Sequence, residues 1–328
     1  MKKFLSVIAA AAIAVSSLCG CSAANAGKQN DKIQIVTTIF PEYDWVMNIL
    51  GDNPANAEVT MLLDNGTDLH SFQPTTSDIM KISSCDLFIY VGGESDEWVE
   101  DVLKEAVNKD IVAINLLGVL GDKVVEEELV EGMQGEEEEE EAGEGEEEIE
   151  YDEHVWLSLK NAEVLVQSIS DSIQKIDPAN AEAYKANTKA YLDKLDQLDQ
   201  SYQEVISNAA IKTVLFGDRF PFRYLVDDYG LEYYAAFVGC SAESEASFET
   251  ITFLSKKVDE LSLPVVLTIE GNDKRIAETV IANTTTKDQT VLSMDSMQST
   301  TSKDVANGIT YVSVMGSNLE VLKKALGY

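Results

Sequence analysis

Basic residues are scarce in this chain: 24 Lys and Arg stand against 58 Asp and Glu, a formal charge of −34. Phosphate backbones are held by basic surface, so nucleic acid is excluded as a partner and cations become the natural ligands. Cysteine is scarce too, with four in 328 residues. Two of these, Cys19 and Cys21, border an N-terminal apolar run, so at most one bridge is possible once that run is removed and a disulfide framework is excluded. The core must hold itself together, and a chain of this length ordinarily does so as two domains. No second apolar run approaches the length of a membrane span.

Lys2 and Lys3 precede the apolar run over residues 4–18, which is an export signal in pattern and too short to cross a bilayer comfortably. It ends in Leu18-Cys19-Gly20-Cys21, which resembles a bacterial lipobox. Residues 1–20 are then a lipoprotein signal peptide, Cys21 is the lipidated first residue of the mature chain, and the small, polar residues 21–31 are a tether.

Histidine is scarcer still. Only His70 and His154 are present, each inside a polar motif and not on an apolar face. That placement suggests two ligands of one metal site, because imidazole is the commonest neutral metal ligand near pH 7. Just before His154 the chain turns strongly acidic, with Glu136 to Glu141 consecutive and no Lys or Arg over residues 126–153. Self-repulsion predicts a disordered acidic loop over 126–150.

Short β-branched runs alternate with amphipathic stretches. Strands are predicted over 33–37, 58–62, 87–91 and 111–114, with helices over 41–50, 76–83 and 95–107 between them. A helical texture follows over 161–176 and again over 178–209, the latter about 45 Å long at 1.5 Å per residue. The alternation then resumes, with strands over 212–216, 231–237, 264–269 and 290–292 and helices over 220–229, 248–261, 273–283 and a last stretch ending near Leu326. The expected fold is α/β: an N-terminal lobe (32–177) and a C-terminal lobe (210–328), each a parallel sheet flanked by helices. A long rigid linking helix (178–209) joins them, with a metal cleft between the lobes.

Several motifs resemble the metal-binding receptors of bacterial zinc and manganese ABC importers. Thr38-Ile39-Phe40-Pro41-Glu42-Tyr43-Asp44 is similar to that family's entry into its first helix. Gly66-Thr67-Asp68-Leu69-His70-Ser71-Phe72-Gln73-Pro74 matches Gly-x-Asp-Pro-His-x-(Tyr/Phe)-x-Pro, with Leu69 in place of the proline. Asp152-Glu153-His154-Val155-Trp156-Leu157 matches Asp-Pro-His-x-Trp-Leu, again without its proline. The resemblance puts His70 and His154 on the family's first two ligand positions. Zinc members also carry a charged loop before the second histidine, rich in His where this chain has Glu.

At the third position the resemblance breaks. Phe216-Gly217-Asp218-Arg219-Phe220-Pro221-Phe222-Arg223-Tyr224 puts Arg219 where relatives have His or Glu. Arginine stays protonated and has no lone pair to offer, so adjacent Asp218 is the expected substitute. The resemblance implies Asp295 as the fourth ligand. Glu270, at a strand end, is a further candidate, with capping or ion pairing as its alternative role. Cys240, in Phe237-Val238-Gly239-Cys240-Ser241, is expected as a small buried hydrophobe that could approach the cleft. Arg219 modulates such a site: with its charge held by Asp218, Glu270 or Asp295, replacement by His should tighten zinc binding.

The function this implies is a lipid-anchored, monomeric, extracytoplasmic receptor that captures a divalent cation and passes it to an ABC permease in the membrane. The cation is Zn²⁺, with Mn²⁺ the alternative because a mixed nitrogen and oxygen shell does not reject it. Two rivals remain. A zinc hydrolase lacks support, since the chain has neither His-Glu-x-x-His nor Gly-x-Ser-x-Gly. A cell-adhesion or scaffold protein that kept the fold and lost its metal would explain Arg219 as decay, but not two intact histidine motifs.

Overall fold

A computed structural model describes residues 32–135, 150–241, 245–271 and 273–328. The export signal, the lipobox with Cys21, the tether and the glutamate run 136–149 lie outside the described residues. In the first lobe β1 (Gln34–Thr37), β2 (Glu58–Met61), β3 (Leu87–Tyr90) and β4 (Val112–Asn115) form a parallel sheet ordered β2-β1-β3-β4. Helices α1 (Phe40–Leu50), α2 (Thr76–Ser84), α3 (Trp98–Lys104) and α4 (Leu116–Leu120) follow those strands in turn. Two longer helices come next, α5 (Leu159–Ile176) and α6 (Ala181–Asn208).

The second lobe repeats the plan. Strands β5 (Thr213–Phe220), β6 (Glu232–Val238), β7 (Val265–Ile269) and β8 (Thr290–Met294) pair in parallel in the order β6-β5-β7-β8, the same relative order as in the first sheet. Its helices are α7 (Arg223–Tyr229), α8 (Phe248–Leu261), α9 (Arg275–Ala282), α10 (Ser302–Ala306) and α11 (Tyr311–Ala325). The expected two-lobe α/β fold is borne out. Among the described residues no helix is long and apolar enough to cross a membrane.

Helix α6, about 42 Å long at 1.5 Å per residue over its 28 residues, packs on α1 and α5 from one lobe and on α7 and α11 from the other. Tyr191 donates to Asp44 Oδ2 on α1 (3.0 Å), while Tyr202 donates to the Met315 carbonyl on α11 (2.7 Å). One buried apolar cluster runs from Ile35 to Leu326 through Trp45, Trp156 and Tyr311. The lobes therefore share a core, and swinging them apart would expose it to water.

The acidic stretch divides. Residues 126–135 are folded and are not part of a disordered loop: Glu126 bridges Tyr151 antiparallel, and Gln134 bridges Phe237 in parallel. Gln134 donates its N–H to the Ala236 carbonyl at 2.9 Å. Since β6 lies at the edge of its sheet, this stem satisfies backbone groups that an edge strand leaves open. Composition registers charge but not that nonlocal pairing.

Three carboxyls lie buried in the first lobe, just beyond the carboxyl ends of β1 and β3. Burial pushes Glu42 well up, with Asp96 adding to it, even though Thr38 and Ile39 donate their backbone N–H groups. Burial takes Asp96 up to about 7 and Asp44 up to about 6, against opposing hydrogen bonds from the Gly92 N–H and the Tyr191 hydroxyl. Asp96 Oδ1 finds no hydrogen-bond partner among the described residues, so charge there is poorly solvated. In the unfolded chain these groups ionise near pH 4. Above that pH the folded state binds more protons, and stability falls as pH rises through the folded values. His70, pulled down to about 3, has the opposite sign, but only below its ordinary value near 6.5. Lowering the pH from 8 to 6.5 should therefore stabilise the metal-free protein by about 1 kcal/mol or more, read as a rise in Tm in chelator. A fall over that window contradicts the buried-carboxyl account.

Candidate metal centre

Each metal-capable side chain sits just beyond the carboxyl end of a strand or at the mouth of a turn. After β2 the chain makes a short 3-10 turn, Leu69–Ser71, capped by Asp68, whose Oδ1 accepts the His70 N–H at 3.1 Å. His154 precedes a second 3-10 turn, Val155–Leu157, from which Ser158 caps α5. Cys240 follows β6 by two residues. In parallel sheets such strand ends are where ligands gather.

His70 Nε2 and His154 Nε2 face each other at 3.1 Å. Two imidazole nitrogens on one tetrahedral zinc, with bonds of about 2.0–2.1 Å, stand about 3.3 Å apart, so the pair is spaced to share an ion. Among the described residues one cluster has metal-ligand geometry: His70, His154 and Cys240, with one ligand atom from each within 4.8 Å of the others. Across a tetrahedral nitrogen–zinc–sulfur angle the separation is about 3.6 Å, which requires only a small approach by the thiolate.

The far sides of both rings are held by oxygen. His154, fully buried, points Nδ1 at Asp152 Oδ1 (3.0 Å), and the same oxygen accepts its backbone N–H (2.8 Å). His70 Nδ1 meets Ser95 Oγ at 2.9 Å and Glu153 Oε2 at 3.4 Å. Glu153 is itself positioned by the Ser95 N–H, on the turn after β3. Carboxylates behind ligating imidazoles fix the ring orientation and raise ligand basicity. Gly239 is needed here for space: a Cβ on it would lie 2.9 Å from His154 Cε1.

Protons occupy this constellation when metal does not. Burial, the charge of His154 and nearby Arg219 drop His70 to about 3 despite Asp68. Burial also pulls His154 down, but Asp152, Glu153 and Asp68 together outweigh it and raise that ring. Of the two rings His154 is therefore the one that holds an added proton to higher pH, and one N–H lies between the two Nε2 atoms. Burial pushes the Cys240 thiol well up, with Glu127, Asp152 and Glu153 adding to it. The thiol donates to Glu127, whose carboxylate also accepts the Cys240 N–H at 3.1 Å. A cavity of about 300 Å³ opens beside the cluster, lined by Glu94, Glu127, Glu150 and Glu153 with His70 and Cys240.

The other candidates lie elsewhere in the hydrogen-bond network. Asp218 accepts the N–H of Arg219 (2.8 Å) and of Ile269 (3.0 Å), stapling β5 to β7 where the β5–β6 register is irregular. Glu270 accepts from the N–H and hydroxyl of Ser296, both at 2.7 Å, and Asp295 accepts the Met297 N–H at 2.8 Å. The structure does not bring Asp218, Glu270 or Asp295 into the histidine–cysteine cluster. The guanidinium of Arg219 is held by Asp68, Nη2 to Oδ2 at 2.7 Å, in place of the three acids expected from the sequence. Cys240 carried a sequence signal, a thiol just past a strand that could approach the cleft, and it lies beside both histidines; Glu153 and Ser95 carry no such signal.

Residues 35–325 match the family described as "ZnuA: Zinc-uptake complex component A periplasmic". The chain is 32% identical over 296 residues to the zinc-binding protein AdcA of Streptococcus pyogenes serotype M3, covering 89% of this chain and 56% of that protein. It thus spans little more than half the length of the streptococcal relatives it matches. It is 30% identical to the high-affinity zinc uptake system protein ZnuA of Bacillus subtilis, over 98% of this chain and 97% of that one. The fold matches the crystal structure of the Zn(II)-bound ZnuA-like domain of Streptococcus pneumoniae AdcA with a TM-score of 0.69 and 29% identity, covering 91% of this chain and all of that domain. With a family match over residues 35–325 and a relative 30% identical along nearly its whole length, this protein belongs to the ZnuA family.

Proposed function

We propose that the chain is an extracytoplasmic zinc receptor that binds one Zn²⁺ through His70, His154 and Cys240 and delivers it to an ABC permease. The observation that carries this reading is the convergence of two Nε2 atoms, 3.1 Å apart, with a thiol beside them. A thiolate with two imidazoles is a soft donor set, which favours zinc over manganese more than a carboxylate-completed shell would. The zinc-binding and zinc-uptake names of the relatives support the same ion. Asp218, Glu270 and Asp295 then serve as structural acceptors, and water or a cavity carboxylate completes the shell.

The shared core argues for release by movement of the ligand-bearing turns, without a wide hinge. The acidic cavity favours cation entry by raising the local concentration of positive ions. We read the chain as a receptor and not a hydrolase because of its family, and as a metal carrier and not a scaffold because all three soft donors converge. Calorimetry on chelator-stripped protein should give one Zn²⁺ per chain and much weaker Mn²⁺ binding; no zinc uptake, or tighter manganese, would overturn the assignment.

Anchoring at the membrane rests on Cys21. The relative in Streptococcus pneumoniae is named a zinc-binding lipoprotein. Cys21→Ser should remove the thiol that accepts lipid, and detergent partitioning should then find the protein no longer membrane-associated as a processed form. Unaltered retention of a processed chain would rule the anchor out.

A further inference from the structure

Arg219 stands on β5 just past the register irregularity, where Phe216 pairs with Ala235 and Arg219 with Phe237, so the extra residue re-aims it. Its guanidinium reaches in two directions. Nη2 meets Asp68 Oδ2 at 2.7 Å in the first lobe, and Nη1 donates to the Ser241 carbonyl at 3.3 Å in the second. Asp68 is the residue whose other oxygen caps the His70 turn, and Ser241 directly follows Cys240. The Arg219 and Asp68 side chains are 18% and 23% exposed, so their ion pair is shielded from much of the solvent.

We propose that Arg219 is a positioning residue of the metal centre: one guanidinium clamps the turn that carries His70 to the loop that carries Cys240, across the two lobes. The inference rests on the ligand set given under Proposed function. A planar fork with donors at fixed angles holds a carboxylate and a carbonyl simultaneously, which a lysine ammonium does less well. Arg219 is thus a brace for a ligand supplied just past the next strand. The clamp keeps Cys240 at the mouth of the histidine pair before metal arrives, so less ordering is required on binding. This reverses the effect expected from the sequence for Arg219→His: the imidazole would lose the clamp, and zinc should bind more weakly.

The test compares Zn²⁺ affinity and dissociation rate, by chelator competition, in the full mature chain and in Arg219→Gln, Arg219→Lys, Asp68→Asn and the Gln/Asn double variant. Supporting ion-pair residues behind metal ligands typically change affinity by about 10–100-fold, so Arg219→Gln should weaken zinc by about tenfold or more with one ion still bound. Arg219→Lys should recover part of the loss. Asp68→Asn keeps the acceptor for the His70 N–H, so its loss should match that of Arg219→Gln, and the double variant should be no worse than either single one. Bound Co²⁺ supplies an independent reading, because its sulfur-to-metal absorption should shift or weaken in Arg219→Gln if the thiolate is displaced. Unchanged or tighter zinc in both Arg219→Gln and Asp68→Asn, with wild type binding normally, overturns the clamp. Additive losses in the double variant also overturn it. Failure of wild type to bind zinc overturns the receptor reading and the clamp with it.

Discussion

His154→Ala is expected to abolish tight zinc binding while leaving the fold in place. The ring is fully buried, its Nδ1 is committed to Asp152, and its Nε2 is one of two nitrogens aimed at a common point. Removing it takes away a ligand and leaves the Asp152 carboxylate buried with nothing to orient. Loss of a supporting residue alone costs about 10–100-fold in affinity, so loss of the ligand itself should exceed about 100-fold. His70→Ala should approach the same result, since Cys240 and one imidazole cannot hold zinc as three donors do. Titration calorimetry reads both, with circular dichroism to establish that each variant is folded. Affinity within a factor of about three of wild type in either folded variant would mean that the ion sits elsewhere.

Why the histidines were more legible than the cysteine follows from what each residue type does in ordinary cores. A histidine in a polar turn has no packing explanation, so two of them in a chain that has no others point to chemistry. Cys240 follows the run Ala235-Ala236-Phe237-Val238, which is buried in the second sheet, and a thiol there reads as one more small apolar group. Only the fold reveals that the end of β6 abuts the turn at His154. The strands were legible for a related reason: parallel strands covered on both faces are continuous runs such as Leu87-Phe88-Ile89 and Val265-Val266-Leu267, all buried. Asp218 shows a further limit, because adjacency to Arg219 in the sequence does not give a shared direction. A strand alternates its side chains, and a bulge redirects them, so Asp218 turns to the Ile269 N–H while Arg219 faces the cleft turn at Asp68.

Cys240→Ser should have the second large effect, and its form distinguishes a thiolate ligand from a merely buried cysteine. A serine hydroxyl does not ionise near neutral pH and is a hard, weak donor, so zinc affinity should fall by about two orders of magnitude while manganese, indifferent to sulfur, changes little. The ratio between the two metals then collapses. Proton release provides a second signature. In the metal-free site burial and Glu127 hold the Cys240 thiol protonated, and the acids around His154 strengthen its hold on a proton. Zinc must expel both, so its apparent affinity should rise by up to about tenfold per pH unit for each proton displaced. Around pH 7, below the raised thiol value, the wild type should therefore show a pH slope steeper by about one proton than Cys240→Ser, which has no thiol proton to lose. Calorimetry in buffers of different ionisation enthalpy counts those protons directly. Equal proton release and equal zinc affinity in the two proteins would return Cys240 to the role of a buried hydrophobe and leave the third ligand to a cavity carboxylate such as Glu127 or Glu153.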